Sequence, residues 1–192
     1  FSNSEFINGM AEIIKIAATS DKALFEFIEK NGKKILDRDR AALIHIIKRA
    51  IELKKTIVEK DEKESGLRQT LNFGHTIGHA LENYHNYKKK HGHCISIGLV
   101  IESKIANLIG KLSNNEAKRI EALLKKFNLP TTVEKNVNID KIVEIMKIDK
   151  KARSQRPRFV ILEKIGKINS EKNNFSFEVD ENIVRKAVEL YI

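Results

Sequence analysis

The chain has 192 residues, 41% of them apolar and none in low-complexity tracts, enough to bury a core as one domain or as a large domain with a small appendage. Lys and Arg number 36 against 26 Asp and Glu, a net charge of +10, but the lysines alternate with glutamates along most of the chain. No apolar run approaches the ~20 residues of a membrane span, no signal peptide is visible, and three tyrosines without tryptophan offer little for nucleic-acid stacking. The single cysteine, Cys94, excludes an internal disulfide, argues against cysteine redox chemistry and suits a cytoplasmic location. Because the chain opens at Phe1 on the lead into a helix, a domain cut from a longer protein is expected.

Helical periodicity covers most of the chain. The first predicted helix, Ser4 to Ala18, carries Phe6, Met10, Ile13, Ile14 and Ala17 on an apolar face. Asn8, Glu12 and Lys15 follow an i, i+4, i+7 pattern beside it, which by itself reads as a solvated, salt-bridging stripe. A second helix, Lys22 to Lys30, starts after Asp21 as N-cap and is expected to stop at Asn31-Gly32. Asp37 or Asp39 then caps a long helix to about Asp61, with Leu43, Ile47, Ala50, Ile57 and Val58 on one stripe. Lys54 falls on that stripe, where it needs an anionic partner or must snorkel to the edge.

Residues 68 to 93, RQTLNFGHTIGHALENYHNYKKKHGH, read as one glycine-punctuated helix followed by an HGH loop. Four of the six histidines lie between His75 and His91. His75 and His79 are one turn apart, and Arg68 and Asn72 extend their face backwards at spacings of 4, 3 and 4. A catalytic zinc takes three protein ligands, a count that His75, His91 and one carboxylate would meet. A bare HxxxH pair more often marks ordinary polar residues. Gly74 and Gly78 each precede a histidine, and glycine inside a helix suggests close approach of a ligand or of another helix. Thr76 after His75 excludes HExxH, no His-Asp dipeptide occurs, and neither GxGxxG nor a P-loop is present.

Beyond the motif, Ile95 to Leu112 is apolar nearly all round, as for a central helix buried on several sides. Helices are expected at Glu116 to Phe127, ending at Leu129-Pro130, and at Ile139 to Lys147. Arg158 to Glu163 and Phe175 to Val179 read as strands, and Asp180 caps a last helix, Glu181 to Tyr191. The expected fold is mainly α: a multihelical bundle with one small β-hairpin at about 158–179.

Three strings, NGMAEIIK (Asn8 to Lys15), EKDEKESGLRQTLNFGHTIGHALE (Glu59 to Glu82) and HGHCISIGL (His91 to Leu99), closely resemble the helical C-terminal domain of 3-dehydroquinate synthases. Later echoes are IDKK (Ile148 to Lys151), RFVILEKIGK (Arg158 to Lys167) and the closing helix, so the resemblance spans essentially the whole chain. It implies that 1–192 form a single metal- and substrate-binding domain, beside an N-terminal NAD-binding α/β domain absent from this chain. It implies Glu12, His75 and His91 as ligands of Zn2+ or Co2+. Lys15, Lys54, Arg68, Asn72 and His79 would line the substrate pocket with catalytic duties, His79 orienting substrate or relaying protons, and Lys150 would be a further pocket lysine.

The implied activity is the NAD- and metal-dependent conversion of 3-deoxy-D-arabino-heptulosonate 7-phosphate to 3-dehydroquinate and phosphate, a carbon–oxygen lyase reaction of the shikimate pathway. An anionic sugar phosphate suits the Lys and Arg side chains. The resemblance also implies a homodimer of the full-length protein, no nucleic-acid or membrane partner, and an isolated chain that does not turn over. One departure stands out: the family's usual HGE is HGH here, and His93 could alter the surroundings of His91 or add a ligand. Relatives such as 2-deoxy-scyllo-inosose synthase share the architecture, and a non-catalytic helical binding module is the reading from another class.

Overall fold

A buried helix organises the molecule. The structure, a computed structural model, describes residues 2–149 and 156–192. Helix α1 (Asn3–Ser20) is capped by Ser2, α2 (Lys22–Leu36) by Asp21 and α3 (Arg40–Lys60) by Asp39. A short 3-10 segment (Leu67–Asn72) precedes α4 (His75–Tyr84), α5 (His91–Leu108), α6 (Asn114–Lys126, capped by Ser113) and α7 (Ile139–Asp149). The apolar run of α5 does what its composition predicts: it packs against α1, α4, α6 and α8 (Glu181–Glu189), and Ile95, Leu99, Val100, Ile101 and Ile105 are buried. Among the described residues no helix is long and apolar enough to cross a membrane.

Several expected boundaries move. Helix α2 runs through Asn31-Gly32, because Asn31 Nδ2 donates to the Phe27 carbonyl and Gly32 sits against the Lys126 side chain of α6. Neighbour packing thus overrides a local stop signal. The buried stripe of α3 is Ala42, Ile46, Ala50 and Ile57, with Ile47 44% exposed. That shift takes Lys54 off the stripe to its exposed edge. The predicted motif helix is also broken: Phe73 and Gly74 separate the 3-10 segment from α4, with Gly74 at φ 79. Gly74 is therefore a helix start and not a helix interior, while Gly78 does lie inside α4. The HGH segment is not a loop, since His91 opens α5 directly.

The strand region forms two small ladders in place of one hairpin. Strands β1 (Arg158–Phe159) and β4 (Phe177–Glu178) pair antiparallel as expected. Between them β2 (Leu162–Lys164) and β3 (Lys167–Ile168) make a second, tight hairpin. Phe159 to Leu162 are all buried, so this run changes partner at Val160 and Ile161. Gly166, at φ 83, turns the inner hairpin onto α1, donating its N–H to Ala18 O at 2.8 Å.

Candidate metal and anion site

Helices α4 and α5 run antiparallel in direct backbone contact, which glycine makes possible. A Cβ on Gly98 would lie 2.0 Å from the Gly74 carbonyl oxygen, and one on Gly92 would lie 2.1 Å from Asn8 O of α1. Asn8 Oδ1 also accepts the Gly92 N–H at 2.6 Å. These contacts bring the starts of α4 and α5 against the face of α1 that carries Glu12 and Lys15.

Three potential ligand atoms converge there. His75 Nε2 lies 3.6 Å and His91 Nε2 3.3 Å from Glu12 Oε1. Ligands about 2.1 Å from a tetrahedral ion sit roughly 3.4 Å apart, so both separations from Glu12 suit a divalent metal of the zinc type, and all three ligand atoms lie within 4.8 Å of one another. The other ring nitrogens face outwards: His75 Nδ1 meets the Phe73 carbonyl at 3.1 Å, and His91 Nδ1 meets Glu82 at 2.8 Å. Such partners orient metal-binding imidazoles. The second Glu12 oxygen is held by Lys15 Nζ at 2.8 Å.

Electrostatics suit the same purpose. Burial and the nearby Lys15 ammonium press the His75 pKa down to about 4, so at neutral pH its ring is uncharged and has a lone pair to offer. Burial alone would raise the Glu12 carboxyl, but Lys15, His75 and His91 hold it below the ordinary value, ionised. Lys15 is 4% exposed, and burial lowers its ammonium despite the attraction of Glu12. One carboxylate therefore does not fully offset the burial of this lysine, and a second anion would.

Glu12, Lys15, Lys54, Arg68, Asn72, His75 and His91 line one cleft of about 380 Å³ with Ile16, Glu64 and Leu71. Arg68 Nη1 donates to the Glu62 carbonyl at 2.9 Å, and Arg68 and Lys54 bring two positive charges to the cleft lining. His79 is not in this lining; its ring stands at the edge, 5.0 Å from that of His75. Lys150 lies outside the described residues. His93 belongs to none of the metal-competent groups among the described residues.

Four carboxylates escaped the sequence reading. Glu64, at φ 55, enters the cleft and accepts from Asn72 Nδ2 at 2.7 Å. Glu82 was legible only as a residue one turn past His79. Glu102 is wholly buried in α5, and an acid inside an apolar helix was its available signal. Its carboxyl accepts Gly74 N–H at 2.8 Å, Thr76 N–H at 3.0 Å and Ile77 N–H at 3.3 Å, capping α4 where Gly74 has no side chain to do so.

Asp61, the last of the four, organises the loop that leads to Arg68. Its oxygens accept the N–H groups of Ser65, Gly66 and Arg68 at 2.9, 2.8 and 2.9 Å. Backbone donation from Arg68 and Ser65, then Gly66, outweighs desolvation and takes its pKa down to about 2. The folded value is below the unfolded one, so this stabilisation is complete above about pH 4 and disappears as pH falls towards 2. Asp61→Asn should therefore destabilise the chain at neutral pH, and denaturant unfolding should show the deficit shrinking below about pH 4. An equal deficit at both ends of that window would reject the assignment.

The family model described as 3-dehydroquinate synthase C-terminal matches residues 9–152, most of the chain and every cleft residue named above. The chain belongs to this family. A 3-dehydroquinate synthase of Thermodesulfovibrio yellowstonii is 42% identical over 185 residues, covering 96% of this chain and 50% of that protein. One from Campylobacter jejuni is 41% identical over 170 residues, covering 86% and 48%. The chain thus spans about half the length of these relatives.

Two solved structures share the fold at 21% identity. The 2-epi-5-epi-valiolone synthase of Streptomyces hygroscopicus subsp. jinggangensis, with NAD+ and Zn2+ bound, superimposes at TM-score 0.87 over 100% of this chain and 52% of its own. A 2-deoxy-scyllo-inosose synthase complexed with carbaglucose-6-phosphate, NAD+ and Co2+ gives 0.80 over 97% and 51%. The helical fold of this chain is thus shared with these two synthases.

Proposed function

We propose that this chain is the metal- and substrate-binding half of a 3-dehydroquinate synthase, converting 3-deoxy-D-arabino-heptulosonate 7-phosphate to 3-dehydroquinate and phosphate. The observation that carries the reading is the convergence of His75 and His91 Nε2 on Glu12 Oε1, in the cleft that also presents Lys15, Lys54 and Arg68. Glu12, His75 and His91 would hold Zn2+ or Co2+. When bound, the metal supplies Lewis acidity at a substrate oxygen and NAD supplies the redox capacity.

The remaining steps belong to side chains of the chain. Arg68 offers a planar, bidentate fork to phosphate or carboxylate, and Lys54 a mobile point charge at the rim. Lys15, buried with one carboxylate, gains a second anion when substrate enters. Asn72, steadied by Glu64, donates or accepts at a hydroxyl, and His79 at the edge orients substrate or passes a proton to solvent. No glycine-rich phosphate cradle occurs in the sequence, so NAD is assigned to a further domain of the full-length protein, expected to be a cytoplasmic homodimer.

Zinc analysis of the purified chain tests the site directly. One zinc per chain is expected, lost in both His75→Ala and His91→Ala; binding unaffected by both would end the metal-centre reading. The chain alone should show no turnover, and turnover should appear once the NAD-binding domain is supplied. The named relatives favour the heptulosonate substrate over that of 2-deoxy-scyllo-inosose synthase, and phosphate release assayed with glucose 6-phosphate in parallel decides between them.

A further inference from the structure

Glu82 has no part in the site so far except its contact with His91. It lies near the end of α4, its side chain 12% exposed, while the His91 ring is 43% exposed and opens α5. Packing therefore does little to hold the ring. Its two nitrogens point at two carboxylates: Nδ1 is 2.8 Å from Glu82 Oε1, and Nε2 is 3.3 Å from Glu12 Oε1.

A neutral imidazole donates from one nitrogen and accepts at the other. Glu82 is the nearer of the two carboxylates, 2.8 Å against 3.3 Å, so the neutral ring carries its proton on Nδ1, and a cation entering between Nε2 and Glu12 meets the Nε2 lone pair. His75 is arranged in the same sense by the Phe73 carbonyl, so both rings present Nε2 to one point. The difference is that Phe73 is a backbone acceptor, which mutation cannot remove, whereas Glu82 is a replaceable side chain.

Glu82, His79 and His91 also have ligand atoms within 4.8 Å of one another, which suggests a second cation position sharing His91. The distances argue otherwise. Two atoms bound to one tetrahedral ion are roughly 3.4 Å apart, and the 2.8 Å between Glu82 and His91 is a hydrogen bond.

We infer that Glu82 is a positioning residue: it fixes the tautomer and orientation of His91 and thereby sets the metal affinity of the Glu12, His75 and His91 group. The inference rests on the metal-centre reading above. Its test is Zn2+ affinity, by competition with a chromogenic chelator, for the chain and its Glu82→Ala and Glu82→Gln variants. Nitrogen NMR of the metal-free chain, with His91→Ala assigning the signal, reads the ring tautomer.

Affinity is expected to fall about 10- to 100-fold in Glu82→Ala. Glu82→Gln, which keeps an acceptor oxygen and loses the charge, should fall by less. The wild-type His91 ring should be protonated at Nδ1, and that preference should disappear in Glu82→Ala. Unchanged affinity in both variants, or a wild-type His91 protonated at Nε2, overturns the inference. So does a second zinc equivalent in the wild type that Glu82→Ala abolishes, because Glu82 would then be a ligand. If Glu82→Ala does not fold, Glu82→Gln and the wild-type tautomer still decide. Zinc binding that survives His75→Ala and His91→Ala marks failure of the metal-centre reading instead.

Discussion

Glu102→Ala is expected to cost the chain on the order of 4 kcal/mol of stability and to abolish tight zinc binding. The carboxyl is fully buried and accepts three backbone N–H groups at the start of α4. Each buried donor left without a partner costs roughly 1–3 kcal/mol, reduced where water enters the cavity. An acidic group at a helix N-terminus adds up to about 2 kcal/mol in partly buried settings. Against a typical domain stability of 5–15 kcal/mol, roughly, that loss leaves the fold marginal. His75 is the first residue of α4, so fraying there also separates a proposed ligand from Glu12. Glu102→Gln should fall between, since its amide nitrogen cannot accept. Denaturant unfolding and chelator competition on the three proteins check this, and a loss below about 1 kcal/mol in Glu102→Ala would refute the capping role.

Gly98→Ala should have an effect of similar size for the opposite physical reason, addition of matter where there is no room. Its Cβ would stand 2.0 Å from Gly74 O and 2.9 Å from both Gly74 C and Gly78 N, all backbone atoms that no rotamer change can move. Overpacking typically costs about 1–3 kcal/mol, and a backbone-to-backbone clash belongs at or above the top of that range. The alternative to unfolding is that α4 retreats from α5 and carries His75 away from Glu12. Either way zinc affinity falls. Gly9→Ala supplies the control: a Cβ there meets nothing, and alanine inside α1 should stabilise by up to about 1 kcal/mol. Unfolding curves for both variants separate crowding from helix propensity; a Gly98→Ala protein as stable as Gly9→Ala would contradict the close-contact account.

The paired carboxylates also explain how two helix starts hold His75 and His91 in register. Glu102 of α5 caps the start of α4, and Glu82 of α4 holds the first residue of α5. Each histidine-bearing terminus is thus secured by the opposite helix, and neither half of the hairpin can drift without breaking bonds at both ends.

Much of this was legible in one dimension. Local chemistry alone determined the caps at Asp21 and Asp180, narrowed that of α3 to Asp37 or Asp39, and gave the helical periodicity, the buried character of α5 and the clustering of His75, His79 and His91. Those signals depend on neighbours a few residues apart, which the order of residues states directly. Tertiary packing decided the rest. It carried α2 through Gly32, moved Lys54 to an exposed edge, broke the motif helix at Gly74 and split the strand at Val160. It also brought Glu12, which the family resemblance had implied, to the histidines of α4 and α5, and selected Glu82 and Glu102 from 26 acidic residues as partners of these helices. A carboxylate's role is set by what lies within about 3 Å of it in space, and these partners are separated from it by between 9 and 79 positions in the chain.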